Sequence, residues 1–460
     1  MQQNSVRMKR VLTAPALVFF GLAYMVPLGI FTTYGEVTVR SEGHLPVAYI
    51  ITLAAMLFTA LSYCQMTKRL PLSGSAYSYV QKTYGGNLGF LVGWAQLLDY
   101  LFLPMLNYLA IGIYMNAWFP DIPFSYFVLP TIIAVTTLNI LGIKLVNSMN
   151  MLIIILQFIF LAVFLFLCFN SIDSFDPETL LKPLLFEQNQ LSGIFSGAAI
   201  LCLAFLGFDA ISTMAEETKD AKRALPRAII MTVLIAGTMF IIISYFAHLV
   251  YPSWRDFIGN PDTASVDVVA KAGNMFFPSF FADSGKFFSS LFIAGYVTGV
   301  FASAMTSQAS IVRILYAMGR EGVLPKRVFA RLHKRFHTPI ISILFVGAFS
   351  LIALVISLDM IVSMISFGAL IAFTFVNLSV IKLYIIDNKE RSAKILFTCL
   401  LLPAIGVCLT IWLWTSLDAK ALKIGMTWLA IGLVYLIVMT RGFRRKPPTI
   451  SDEEMDDIIN

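Results

Sequence analysis

Long apolar stretches, each closed by a short polar or charged segment, follow one another from one end of this chain to the other. Twelve can be marked, near 12–38, 46–66, 87–119, 124–141, 146–170, 193–216, 227–251, 286–317, 339–357, 359–382, 395–415 and 423–440. Their lengths run from about 17 to about 33 residues, around the roughly 20 that a helix needs to cross a bilayer. The two longest, near 87–119 and 286–317, are expected to tilt. The pattern predicts an all-α polytopic membrane protein of twelve transmembrane helices.

Two of these runs are interrupted. Span one reads FGLAYMVPLGIFTTYG, with Gly21, Pro27, Gly29 and Gly35 inside the apolar stretch. Span six carries Gly193, Gly197 and Gly207, then an acid at Asp209, and runs on through Leu203–Ile229 into a charged loop closed by Pro226. A charged side chain at the bilayer centre costs about 2.5–3.5 kcal/mol even on insertion scales, so an acid kept there points to function. Broken helices at mid-depth are where secondary transporters hold their substrates, because the freed helix ends supply dipoles and unpaired backbone groups. Breaks five spans apart imply two five-helix repeats, the second inverted, followed by two more helices.

The chain then divides into an N-tail (1–11), a first repeat (12–170), an extracytoplasmic loop (171–192), a second repeat (193–385), helices eleven and twelve (386–440) and a C-tail (441–460). A short helix is expected around 264–272, and the acidic end SDEEMDD is expected to be solvated.

Composition sharpens this picture. The chain is 58% hydrophobic and 13% charged, with mean hydropathy +0.81, where soluble domains carry about 25% charged residues. With the N-terminus in the cytoplasm, 25 of the 33 Lys and Arg fall on the cytoplasmic side and 7 on the other. Both termini are therefore expected to be cytoplasmic. Arg313, at the end of span eight, is the remaining one. The net charge of +7 reports topology and contact with anionic lipid, not nucleic-acid binding.

Enzyme chemistry finds no support. No HExxH, GxSxG or phosphate-binding glycine loop occurs, and no cofactor motif is present. The five cysteines sit in apolar spans without CxxC spacing and read as small core residues. His333 and His337 lie in a basic loop without an acid or Cys ligand, so no metal site is read there. A passive channel or solute sensor on the same scaffold is the other class considered.

In span three, Gln96, Tyr100 and Asn107 share a helical face with Asp99 beside it. Asp99 is a candidate partner for a protonated amine or a candidate protonation site. Tyr100 could offer a ring face and a hydroxyl to an ammonium. Asp209 has the same two candidate roles as Asp99, against a structural one in which it binds the freed amides of its broken helix. Glu216 and Glu217, one to two turns on, are expected to pair with Lys219, Lys222 or Arg223 in a gate.

Three further segments carry a resemblance: PLSGSAYSYVQKTYG (71–85), GWAQLLDYLFLPMLNYL in span three, and RILYAMGREGVLPKRVFARLHKRFHTP (313–339). Together with GFDAISTMAEETKDAKRALP they resemble the amino acid–polyamine–organocation transporter superfamily, and within it the bacterial putrescine importers. Those share the SGSAYSY and LLDYLFLPM patterns and FGALIAFTFVNLSV, which is Phe367–Val380 here. The resemblance implies a five-plus-five inverted-repeat transporter of the inner (cytoplasmic) membrane. Substrate would sit between spans 1, 3, 6, 8 and 10. Phe205, Gly207 and Phe208 would form the unwound stretch of span six, and Ala23, Tyr24 and Gly29 would face the site from span one. Tyr100 is the position the family favours for substrate contact.

The expected activity is secondary active, proton-coupled import of a small amine, with putrescine or a similar polyamine favoured. The alternative is an amino acid permease or an amine/amino acid exchanger. Candidate proton-coupling or gate residues are Asp99, Asp209, Glu216 and Glu217, and a sodium site at Thr306 and Ser307 is a further candidate. Two departures matter. The importers carry an acid just after the span-one break, where this chain has Thr32, with Glu36 a turn on. Some amino acid members place a Lys in span five, where Gln157 stands. Monomer and homo-oligomer are both open.

Overall fold

The computed structural model describes residues 8–172, 176–259, 261, 264–276, 284–415, 417 and 419–449. The expected acidic end at 451–457 lies outside them. Among the described residues the chain is helical, and a single parallel bridge joins Leu12 to Thr218.

Helix α1 (Ala14–Met25) opens with Pro15 in its first turn and stops at Val26. Pro27 follows, and a residue before proline is crowded out of helical geometry; Val26 takes φ 55°. A short 3-10 stretch, Pro27–Thr32, leads into α2 (Tyr34–Arg40), so the first span is broken where its sequence predicts. Next come α3 (Leu45–Arg69), α4 (Ala76–Tyr84), α5 (Gly86–Trp118), α6 (Ser125–Leu141) and α7 (Ile143–Asn170). Beyond the small α8 (Pro177–Leu181), α9 (Leu191–Leu201) opens the second broken span. That helix tightens to 3-10 geometry over Cys202–Phe205, unwinds at Leu206–Asp209, and resumes as 3-10 over Ala210–Glu217. Gly207 sits at the break with φ +131°, a region costly for any residue with a Cβ.

The second half contains α10 (Ala221–Val250), α11 (Ala264–Phe276), α12 (Ser284–Glu321), α13 (Lys326–Phe329), α14 (Ile340–Phe349), α15 (Leu358–Ile381), α16 (Ala393–Ile395), α17 (Leu402–Thr415) and α18 (Ala419–Met439). The short helix expected around 264–272 is α11. Ten helical stretches are long and apolar enough to cross a membrane, and two shorter apolar ones, Ser125–Leu141 and Ile340–Leu354, stand where the sequence predicts spans four and nine.

Packing positions the breaks. Helix α3 lies along α10, and α5 lies between α12 and α15. The far halves of the two broken spans close on each other through Gly193 and Gly197, where a Cβ would fall 2.2 Å from the Arg40 carbonyl oxygen and 2.7 Å from Val37 Cγ1. At the N-terminal face the chain start is strapped to the second broken span. The N–H groups of Val11 and Leu12 both donate to the Glu217 carbonyl, at 2.8 and 2.9 Å, and Lys219 N–H donates back to Leu12 at 2.9 Å.

Candidate functional site

The two breaks meet. A Cβ at Gly207 would lie 2.7 Å from Tyr24 Cδ1 and 2.9 Å from Tyr24 Cβ, so glycine there permits both the backbone turn and the close approach. The Tyr24 carbonyl, freed near the end of α1, accepts from Ser303 Oγ of α12 at 2.8 Å. Asn107 of α5 donates to the same Ser303 Oγ at 3.0 Å. Tyr24 of span one and Gly207 of span six are thereby tied to α5 and α12 around one buried point, and Ala23 is buried beside Tyr24 in the chain.

Two carboxylates occupy that point. Asp99 and Asp209 are each 2% exposed. Asp209 is held on both oxygens: Tyr100 Oη donates to Oδ2 at 2.5 Å and Gly207 N–H donates to Oδ1 at 3.2 Å. The structural role weighed for Asp209, binding an amide of its own broken helix, is thus real, and it comes with a tyrosine partner. Asp99 differs: its Oδ1 is buried and, among the described residues, meets no donor. An unsatisfied buried acceptor costs about 1–3 kcal/mol, more when charged. A carboxylate at this depth calls for a cation or a proton.

Aromatic rings surround the acids. Tyr24 and Tyr100 meet edge to face at 6.4 Å. Phe208 stacks on Phe373 of α15 at 5.4 Å, and Tyr63 of α3 meets both edge-on at 5.7 and 6.1 Å. Phe205 turns to Phe240 of α10 at 5.7 Å. Gln96 accepts from the Tyr77 N–H at 3.0 Å.

The backbone amides of the breaks are largely committed. Gly29 N–H donates to the Val26 carbonyl at 2.7 Å. Leu28 N–H donates to Gln157 Oε1 at 3.2 Å, so Gln157 caps the stretch that follows the first break. Thr32 Oγ1 lies 2.9 Å from Tyr296 Oη, a neutral contact. The candidate sodium ligands turn inward on their own helix: Thr306 Oγ1 donates to the Ala302 carbonyl at 3.0 Å and Ser307 Oγ to the Ser303 carbonyl at 2.7 Å.

Glu216 and Glu217 are paired, but not as expected. Their partners come from α12, not from Lys219, Lys222 or Arg223. Arg313 Nε donates to Glu217 Oε2 at 2.5 Å, with the side chains 6% and 5% exposed. Arg320 grips Glu216 with two N–H groups at 2.9 and 3.0 Å, and Ser73 Oγ adds a third bond at 2.7 Å. The near basic residues lie on exposed chain at the helix start (Arg223 is 78% exposed), whereas the glutamates turn into the protein. Glu321 is buried beside them and accepts from Tyr77 Oη and from Gln81 Nε2. Tyr63, Ser303, Arg320 and Phe373 were not legible as site residues. Nor was Arg313, which the sequence places at the end of span eight.

Residues 16–443 match the family described as "Amino acid permease". The chain belongs to that family. This permease is 39% identical over 453 residues to the "Low-affinity putrescine importer PlaP" of Escherichia coli (strain K12), covering 98% of each chain. It is 26% identical over 460 residues to the "Branched-chain amino acid permease BcaP" of Bacillus subtilis (strain 168), covering 94% of each. Among solved structures, that of MhsT in complex with L-phenylalanine superimposes with a TM-score of 0.64 at 15% identity, over 89% of this chain and all of the other. The permease is a multi-pass membrane protein, and it shares its fold with that structure.

Proposed function

We propose that this permease is a proton-coupled importer of putrescine or a similar small amine in the cytoplasmic membrane. The observation that carries the reading is the acid pair at the meeting of the two breaks. Asp209 is held between Tyr100 and Gly207, and Asp99 keeps a buried oxygen that meets no donor among the described residues. An ammonium supplies what that oxygen lacks, and a proton on one acid lets the pair sit in a low-dielectric interior. Tyr24, Tyr100 and Phe208 give the alkyl chain an aromatic lining and the cation a ring face.

An amino acid would need free amides for its carboxylate. The amides of Leu28, Gly29 and Gly207 already have partners, which supports an amine over a zwitterion. The similarity to a putrescine importer points the same way.

In this reading twelve helices cross the membrane with both termini in the cytoplasm, and residues 12–170 and 193–385 are the inverted repeats. The pairs Glu217–Arg313 and Glu216–Arg320 close the cytoplasmic side. Spans 1, 2, 6 and 7 rock against 3, 4, 8 and 9 around the acids.

The test is uptake of radiolabelled putrescine into proteoliposomes under an inward acid gradient, with unlabelled diamines and amino acids as competitors. Expected is accumulation that a protonophore abolishes and that only amines compete away. Asp99→Asn and Asp209→Asn should each remove the pH dependence. Retention of pH-dependent accumulation by both variants would overturn the proton assignment, and competition by amino acids alone would overturn the amine one.

A further inference from the structure

On the outside of the bundle a furrow of about 640 Å³ runs between α1, α7 and α10. Val18 and Leu22 of α1, Phe158 and Ile159 of α7, and Met231 and Ile235 of α10 form its walls. Arg227, at its head, is the one polar residue lining it among the described residues. A second hollow of about 530 Å³ shares Phe158, Ala162 and Ile235 and carries the furrow on to Ile242. Ile159, Ala162 and Met231 are exposed. In a membrane-spanning chain such a surface faces lipid.

The head of the furrow is basic. Arg227 is exposed in the second turn of α10, and among the described residues no acid pairs with it. The acid at the start of that helix, Asp220, lies 3.9 Å from Arg223 instead. Lys9, Lys219, Lys222 and Arg223 are exposed around the same strapped end. From Arg227 to Ile235 the helix rises about 12 Å, close to the roughly 15 Å depth of one leaflet's hydrocarbon. The furrow therefore suits one molecule with an anionic head and an apolar tail of leaflet length. A guanidinium meets a phosphate with paired N–H donors, and basic clusters at a membrane face draw anionic lipid. A helix from another chain would fill the hollow but would bring Arg227 no anion.

The furrow also borders a broken span. Helix α1 is seated through Gly21, where a Cβ would lie 2.7 Å from Ile211 Cδ1 and 2.8 Å from Thr232 Cγ2. It thus leans on the second broken span and on α10, while a different face of it lines the furrow.

We infer that the furrow is a phospholipid site, with an anionic headgroup on Arg227 and one acyl chain along α1, α7 and α10. The bound lipid fastens α1, the near half of the first broken span, to α7. Nothing in this assignment depends on which solute is carried.

Thermal unfolding of the whole chain in detergent tests it. Added phosphatidylglycerol should raise Tm by several degrees, at least about twice the shift given by phosphatidylcholine with the same acyl chains. Glycerol 3-phosphate, a head without a tail, should leave Tm unchanged. Arg227→Gln should bring the two lipids to equal shifts. Ala162→Trp, which fills the furrow from an exposed position, should reduce both. Lys394→Gln, an exposed cation elsewhere, should behave as wild type. A second measurement needs no substitution: wild-type protein in bilayers is labelled with phosphatidylglycerol carrying a photoactivatable group on its acyl chain. Adducts are expected on the α7 and α10 peptides that carry residues 155–162 and 227–235, and unlabelled phosphatidylglycerol should displace them better than phosphatidylcholine. Adducts spread evenly over all lipid-facing helices, equal shifts for the two lipids in the wild type, or an undiminished preference in Arg227→Gln would overturn the assignment. So would a dimer that Ala162→Trp dissociates, which would make the furrow a contact between two copies of the chain.

Discussion

The hydroxyl of Tyr100 lies 2.5 Å from Oδ2 of Asp209, joining the middle of an unbroken helix to the unwound turn of a broken one. That contact sets the position of the acid. With Gly207 N–H on its other oxygen, Asp209 has two fixed donors and a defined orientation before any substrate arrives.

Tyr100→Phe tests this directly. A hydrogen bond to a charged group contributes about 1.5–3 kcal/mol, so uptake is expected to fall roughly 10- to 100-fold. Thermal stability in detergent should fall too, because Asp209 loses a buried donor, although the ring still packs against Tyr24. An uptake rate within twofold of wild type would show that Tyr100 does not position Asp209.

Gly207→Ala strikes the break itself. The added Cβ would sit 2.7 Å from Tyr24 Cδ1, on a backbone with φ +131°. Strain of this kind costs about 1–3 kcal/mol. Expected are a Tm lowered by several degrees and uptake reduced at least about tenfold. Gly207→Ala transporting at the wild-type rate would argue that the break unwinds differently.

Arg313→Gln leaves Glu217 charged and alone in a buried site, a loss of about 3–5 kcal/mol. The double variant Glu217→Gln with Arg313→Gln removes both charges and should recover much of that stability, read as Tm in detergent. A double variant no more stable than Arg313→Gln alone would mean that the ion pair is not the source of the effect.

Where legibility ended is clear from particular residues. Pro27 and Gly207 announced both breaks, because backbone constraint is a local property of proline and glycine. Asp99, Tyr100 and Asp209 were legible as candidates, because polar groups inside apolar runs stand out. Phe373 gave no such signal: a phenylalanine in a membrane helix is ordinary until its neighbours are known. Glu216 and Glu217 misled, since lysines and arginines close in sequence drew the expected pairing. The real partners come from a helix about a hundred residues on, where Arg313 lies 96 residues from Glu217.

By itself the sequence determined the membrane-spanning character, the positions of the helices, the two interruptions and the acids near them. All of these follow from hydrophobic length, proline and glycine, which act over one or two turns. Only the tertiary structure decided that Asp209 meets Tyr100 across 109 residues, that Asp99 keeps an oxygen with no donor among the described residues, that Gln157 caps the stretch after the first break, and that the glutamates lock to α12. Such pairings depend on which helix faces pack together. That is set by the summed fit of many apolar side chains, and no local pattern in the chain records it.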